Sequence, residues 1–144
     1  MKIAFILTNY PSSGATFITN QITGLIDLGH DVRIFALSPQ KGLKKLHEDV
    51  IEYNLLSKLK YHGKPLKRIK GMQIIASDFI KSPFKSSQRL LRSFNTKIFD
   101  KRSYNLSAYF LLRTFEKHSD IDVFNPHLGP TGINALFLKD LFPK

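Results

Sequence analysis

Residues 2–37 read KIAFILTNYPSSGATFITNQITGLIDLGHDVRIFAL, and this stretch decides the fold. Ile3-Ala4-Phe5-Ile6-Leu7 is a continuous apolar run, the pattern of a central strand in a parallel sheet, buried on both faces. It predicts a strand from Lys2 to Thr8. Pro11, Ser12, Ser13 and Gly14 break the run. Ile18, Ile22, Leu25 and Ile26 then recur at i, i+4, i+7 and i+8, the face of a helix from Thr16 to Leu28. Gly29 suits the left-handed position just past that helix, and Asp31 to Leu37 reads as a second strand. A β-α-β unit this compact crosses over right-handed and lays its strands parallel.

Working outward, residues 122–142 read DVFNPHLGPTGINALFLKDLF. They predict a short strand from Asp122 to Asn125, a turn at Gly129-Pro130-Thr131-Gly132 and a helix from Ile133 to Leu141. Both loops then fall outside the carboxyl ends of strands, where open α/β sheets bind their ligands. The expected fold class is α/β: a Rossmann-like, doubly wound parallel sheet with Lys2–Thr8 near its centre. Between the two ends, Val50 to Leu55 reads as a short third strand. Pro65 to Lys81 reads as an amphipathic helix with Ile69, Met72, Ala76, Phe79 and Ile80 on one face. Phe84 to Lys97 and Arg102 to His118 read as further helices, the last with Ala108, Leu111, Leu112 and Phe115 as its stripe. No internal repeat or low-complexity segment interrupts the pattern.

At 144 residues, with 42% hydrophobic and 12% aromatic content, the expectation is one folded domain with its own core. The chain has no cysteine, which excludes disulfides, thiolate chemistry and cysteine-ligated metal. The run Ile3–Leu7 is too short for a secretory leader, and no small-residue cleavage site follows it. Nor does any segment approach the roughly 20 apolar residues of a membrane span. The expected location is cytoplasmic. The net charge of +11 is concentrated: residues 57–102 hold thirteen Lys or Arg against Asp78 and Asp100, and the remainder has nine of each sign. This basic variable helical segment should attract phosphates, as anionic lipid headgroups, nucleic acid or a phosphorylated carrier, or else be a solvated surface. Lys64, Lys67, Arg68 and Lys70 are its candidate membrane- or phosphate-binding residues.

The first loop, Asn9 to Thr16, brings backbone N–H groups and hydroxyls to a helix N-terminus, suited to anions or sugar hydroxyls. Ser12, Ser13, Gly14 and Thr16 are its candidate binding residues; alternatively Ser13 or Gly14 only caps the helix. It is neither G-x-G-x-x-G nor a Walker A loop, which removes the fingerprints of dinucleotide and P-loop binding. In the second loop His127 can act as a general base or bind a substrate hydroxyl, or be a capping histidine. Gly129 and Gly132 allow close approach of a ligand. His30 follows the helix end and reads as structural. His47, His62 and His118 lack metal-ligand spacing, and no metal site is expected.

Taken together, the two ends resemble the amino-terminal, acceptor-side domain of family-4 glycosyltransferases of the GT-B fold, of the exopolysaccharide and colanic-acid type. That family commonly reads F/Y-P-x-x-S-E-T-F-I after its first strand, then L-x-x-x-G-H-E-V. Here these are Tyr10 to Ile18 and Leu25 to Val32. Its later D-[IV]-[IV]-H-A-H-F-G-P-x-G corresponds to Asp122 to Gly132. The family's S-E is Gly14-Ala15 here, and the first histidine of its H-A-H is Asn125, the second being retained as His127. The resemblance covers roughly residues 1–37 and 120–142. It implies that His127 faces the transferred sugar or the acceptor, that Ser12–Thr16, Asn125 and Gly129 line the acceptor side, and that no cofactor is held here. It also implies a separate nucleotide-sugar-binding domain with a basic pair and two spaced glutamates. This chain has only Glu48, Glu52 and Glu116, so the expectation is an acceptor half without its donor half.

The implied partners are a sugar acceptor, lipid-linked in one version, a separate donor-domain chain, and the inner face of the plasma membrane. Rival readings are a nucleic-acid module using the basic segment and a silent truncated gene product. The first needs stacking aromatics, and several of Tyr61, Phe79, Phe84, Phe94 and Phe99 are assigned to helix packing instead; the reading goes against nucleic acid.

Overall fold

The computed structural model describes residues 1–14, 16–42, 45–62, 68–104, 106–127 and 129–142. In chain order the elements begin with β1 (Lys2–Asn9), α1 (Thr16–Asp27), β2 (Asp31–Ser38), α2 (Glu48–Glu52) and β3 (Leu59–Tyr61). Four helices follow: α3 (Arg68–Lys81), α4 (Pro83–Ser93), α5 (Thr96–Phe99) and α6 (Ser107–Phe115). The chain closes with β4 (Val123–Pro126), α7 (Gly129–Ala135) and α8 (Phe137–Leu141). These form two compact units, Met1–His62 with Asp120–Ala135, and Gly63–Ser119 with Leu136–Lys144.

The first unit is built on a four-stranded sheet in the order β3-β2-β1-β4, every pair parallel. It is a Rossmann-like half-domain, as the sequence predicts, with β1 an inner strand. Ile3 to Leu7 are all buried. Ile3, Phe5 and Leu7 pack with Ile18 and Ile22 of α1 and with Val32, Ile34 and Ala36 of β2. Gly29 has φ 80°, and its N–H donates to Ile26 O at 2.8 Å while His30 N–H donates to Leu25 O at 3.0 Å. This is the paired closure of a Schellman motif. His30 therefore serves the helix end through its backbone. At the amino ends of the strands, Asp120 accepts from Lys2 Nζ at 3.0 Å and from Arg33 Nη2 at 2.8 Å. These hydrogen bonds, Arg33 first, hold the Asp120 carboxyl well below the usual carboxylate range.

Several elements differ from the sequence reading: the helix expected over Phe84–Lys97 is broken after Ser93 into α4 and α5, and the one expected from Arg102 begins at Ser107, after a 3-10 turn at Asp100–Ser103. The expected strand Val50–Leu55 is instead helix α2 followed by a 3-10 turn, Leu55–Lys58. His47 Nδ1 accepts from Asp49 N–H, Glu48 and Asp49 occupy the first turn, and Asn54 at φ 48° ends the helix. Capping and the favourable charge at the amino end outweigh the β-branched pair Val50-Ile51. The third strand is Leu59–Tyr61, inside the basic segment, and pairs with Ile34–Ala36. At the other end, Gly129–Gly132 is not a turn; it opens helix α7, and the expected last helix is split into α7 and α8.

The second unit is helical. Tyr109, Leu112 and Phe115 of α6 are buried, with Phe99, Phe137 and Leu138. The ring centroids of Phe115 and Phe137 lie 5.6 Å apart. In α3 the apolar stripe is mostly exposed: Ile69, Met72 and Ile80 are 72%, 70% and 84% exposed, Ala76 is exposed too, and Phe79 is half-buried. Gly71 instead faces the core, where a Cβ would stand 3.5 Å from Phe110. Asp78 reaches inward to accept from Arg113 Nε at 2.7 Å, Tyr109 Oη at 3.0 Å and Arg89 Nη1 at 3.3 Å. Arg89 Nε also donates to Glu116 at 2.9 Å. A helix has one inner face, and satisfying the partly buried carboxylate of Asp78 sets which face it is.

Candidate functional site

The chain steps from β1 outward to β2 and β3, then returns to place β4 on the other side of β1. The strand order reverses there, and in open α/β sheets ligands bind outside the carboxyl ends of the strands at such a point. Both loops singled out by the sequence leave the sheet at this reversal.

Asn125 lies beside Phe5 in the ladder. Phe5 faces α1, so Asn125 and, two residues on, His127 lie on the α1 face of the sheet. His127 N–H donates to Ile6 O at 3.0 Å, which prolongs the β1–β4 ladder by one bond. Its ring sits 5.0 Å from that of Phe17 in the first turn of α1, tilted by 45°. The hydroxyls of Thr8 and the buried Thr131 meet at 2.9 Å and tie α7 to β1. An imidazole fixed by backbone and ring contact, and partly open to solvent, can hold a hydroxyl or take its proton.

The first loop is strapped to the loop after β2. Tyr10 N–H donates to Ser38 O at 3.2 Å, and Gln40 N–H to Pro11 O at 3.3 Å. Ser13 N–H donates to Gln40 Oε1 at 2.7 Å, and Gln40 Nε2 to Ser13 Oγ at 3.1 Å. The Tyr10–Pro11 peptide is cis. Tyr10 is fully buried, its hydroxyl 3.3 Å from Thr19 Oγ1. Burial pushes the Tyr10 phenol up, against the hydrogen bond with Thr19. A cleft of about 280 Å³ opens between this loop and α2, with Ser12, Ser13, Lys45, His47 and Glu48 on its rim.

The structure thus divides the candidate residues. Asn125 and His127 share a face with Phe17. Ser12 and Ser13 line the cleft toward α2, and His127 is not part of that lining. Thr16 opens α1. Gly14 and Gly129 have no steric need to be glycine, since a Cβ on either meets nothing within 4 Å. Lys64 and Lys67 lie outside the described residues, as does the side chain of Arg68; Lys70 is exposed on α3. Lys45, His47 and Glu48 were missed because only the crossover after β2 brings residues 45–48 beside residues 12–13. Phe17 was visible within the motif but had no stated role. Among the described residues no group of three His, Cys, Asp or Glu could hold a metal ion. No helix among them is long and apolar enough to cross a membrane.

A four-stranded parallel sheet whose order reverses at β1 defines a Rossmann-like half-domain. The chain is 31% identical over 143 residues to WcaL of Escherichia coli (strain K12), a glycosyltransferase assigned to colanic acid biosynthesis. It is equally similar to WcaL of Salmonella typhimurium, and 31% identical over 147 residues to the amylovoran biosynthesis glycosyltransferase AmsK of Erwinia amylovora. Each alignment covers 98% of this chain and 34% of the relative, so the chain spans about a third of the length of the curated relatives it matches. The similarity runs through the basic segment as well as the two ends. No protein-family model matches the chain, and no solved structure does. The resemblance read from the two motifs therefore holds: the chain is similar to exopolysaccharide glycosyltransferases.

Proposed function

We propose that this chain is the acceptor-binding half of a GT-B glycosyltransferase for a cell-surface polysaccharide, completed by a domain that binds a nucleotide-sugar. The observation that carries the reading is the packing of His127 on Phe17 beside the strand-order reversal, in a chain whose relatives are glycosyltransferases. An acceptor hydroxyl oxygen forms the new bond to the anomeric carbon as the bond from that carbon to the nucleotide phosphate breaks. His127 holds a hydroxyl of the acceptor or transferred sugar at that centre. The chain alone cannot hold the donor in line, and such positioning is worth effective molarities of roughly 10⁵ M or more. Negligible turnover is expected from it alone. Co-expression with a family donor domain, as a separate chain or fusion, should restore transfer. His127→Ala should then cut transfer by about 10²- to 10⁴-fold with an unchanged melting temperature. Inactivity across several well-folded donor domains sinks the acceptor-half reading.

The exposed stripe of α3 favours a second element of the same reading, peripheral contact with an anionic membrane that carries a lipid-linked acceptor. Ile69, Met72 and Ile80 face solvent next to Lys70 and Lys81. Each cation near an anionic surface contributes about 1 kcal/mol, screened within a Debye length. Phosphatidylglycerol vesicles should bind the chain at low salt and lose it steeply toward physiological salt. Charge reversal at Lys64, Lys67, Arg68 and Lys70 should weaken binding; equal binding to neutral vesicles counts against the contact. A nucleic-acid module is not favoured, because the relatives are glycosyltransferases; of the aromatics available to it Phe99 is buried, while Tyr61, Phe84 and Phe94 are exposed.

A further inference from the structure

The cleft beside α2 is not used by the reading above beyond its Ser12–Ser13 edge, and its chemistry is specific. At about 280 Å³ it lies just below the usual ligand-pocket range of roughly 300–1,000 Å³, room for one sugar ring and not for a nucleotide-sugar. Its floor is apolar, from Pro11, Leu46 and Val50. Its rim carries one ammonium, Lys45, and one carboxylate, Glu48, with the hydroxyls of Ser12 and Ser13. Among the described residues neither Lys45 nor Glu48 has an ion pair or side-chain hydrogen bond, while Arg33 and Asp120 of the same unit are fully engaged.

We propose that this cleft is an acceptor subsite for a single neutral hexose unit, with Glu48 and Lys45 as the residues that recognise it. The inference rests on the acceptor-side reading and names its substrate class. Sugar hydroxyls donate to the Glu48 carboxylate and accept from the Lys45 ammonium, and the C–H face of the ring covers Leu46 and Pro11. A phosphate or uronate would meet the Glu48 carboxylate; a cation would meet Lys45. The Ser13 and Glu48 sides of the rim are ordered in advance. Gln40 straps Ser13, and the His47 cap fixes the start of α2 from which Glu48 projects. Binding therefore orders little new chain, which lowers its entropic cost.

The test is a nuclear magnetic resonance titration of the isotope-labelled 144-residue chain with methyl β-D-galactopyranoside and methyl β-D-glucopyranoside. Methyl β-D-glucuronide and inorganic phosphate serve as anionic probes. At least one neutral glycoside should give saturable shifts at the amides of residues 12–13 and 45–50, and the anions should not. Glu48→Gln and Lys45→Met, folded by the same spectra, should each weaken binding about tenfold, the loss of one charge-assisted hydrogen bond. Absence of shifts at these residues with both neutral glycosides overturns the subsite, as do unchanged affinities in both variants. Equal shifts with phosphate overturn the neutral-sugar class. In a reconstituted transferase, Glu48→Gln should raise KM for the acceptor with little change in kcat. Transfer with an unchanged KM overturns the subsite and leaves the transferase reading intact. Glycoside binding here without transfer by any donor-domain pairing supports the subsite and counts against the transferase reading.

Discussion

In the sheet unit, Ile3 to Leu7 are buried together, and the charges of Lys2, Arg33 and Asp120 gather at the strand ends. In the helical unit, α4 buries Ser86, Arg89 and Ser93 and turns Phe84 and Leu91 outward, and α3 turns out Ile69, Met72 and Ile80. Among the described residues, α6 with Phe99, Phe137 and Leu138 supplies that unit with its apolar core. The difference teaches that apolar periodicity marks a face of an element without saying what the face meets. A strand buried on both sides leaves no choice. A helix flanked by arginines and one carboxylate has two candidate inner faces, and the ionic one prevails where its partners complete each other's hydrogen bonds.

The largest effect expected is in the sheet unit. Phe5→Ala removes a fully buried ring and should cost about 3–5 kcal/mol in urea unfolding. A cost below about 1 kcal/mol would show that the apolar run does not form the centre of the core. Next is the pH response of His62, at the end of β3, where burial lowers the imidazole pKa to about 4. The unfolded histidine takes up a proton near its ordinary value of about 6.5. The folded state therefore binds fewer protons between these values, and stability falls as pH drops from about 6.5 to about 4. The loss is on the order of 3 kcal/mol, measured as urea midpoints across that window. His62→Phe should flatten it.

Asp78 tests the other side of the comparison. Burial pushes its carboxyl up, but hydrogen bonds from Arg113 and Tyr109 and the charges of Arg113 and Arg89 outweigh that and hold it below its ordinary value. Its contribution is present above the ordinary carboxylate range and is lost as pH falls below it, later than that of His62. Asp78→Asn should cost about 2 kcal/mol and raise amide exchange in α3 and α4 first. Exchange unchanged there would mean that apolar contacts alone orient these helices. The smallest effect is at the outward stripe. Met72→Gln and Ile80→Gln should each change stability by no more than about 0.5 kcal/mol, as for exposed positions generally. A large loss from either would return the stripe to the inside.

The sequence by itself determined the α/β class, the parallel β1-α1-β2 unit, the Gly29 closure and the first loop, because each rests on neighbours within a few residues: a run, a period or a left-handed glycine. It also carried the motif resemblance that the relatives uphold. It misread Val50–Leu55 as a strand because the helix is started by the His47 cap, which lies before that stretch, and ended by the left-handed backbone of Asn54, and hydrophobicity registers neither. Tertiary structure alone decided the rest. It set which face of α3 is buried, since the answer depends on Arg89, Arg113 and Tyr109, up to 35 residues away. It brought Phe17 to His127, and Lys45 and Glu48 to Ser12, by strand register and crossover, and no local pattern encodes those distances.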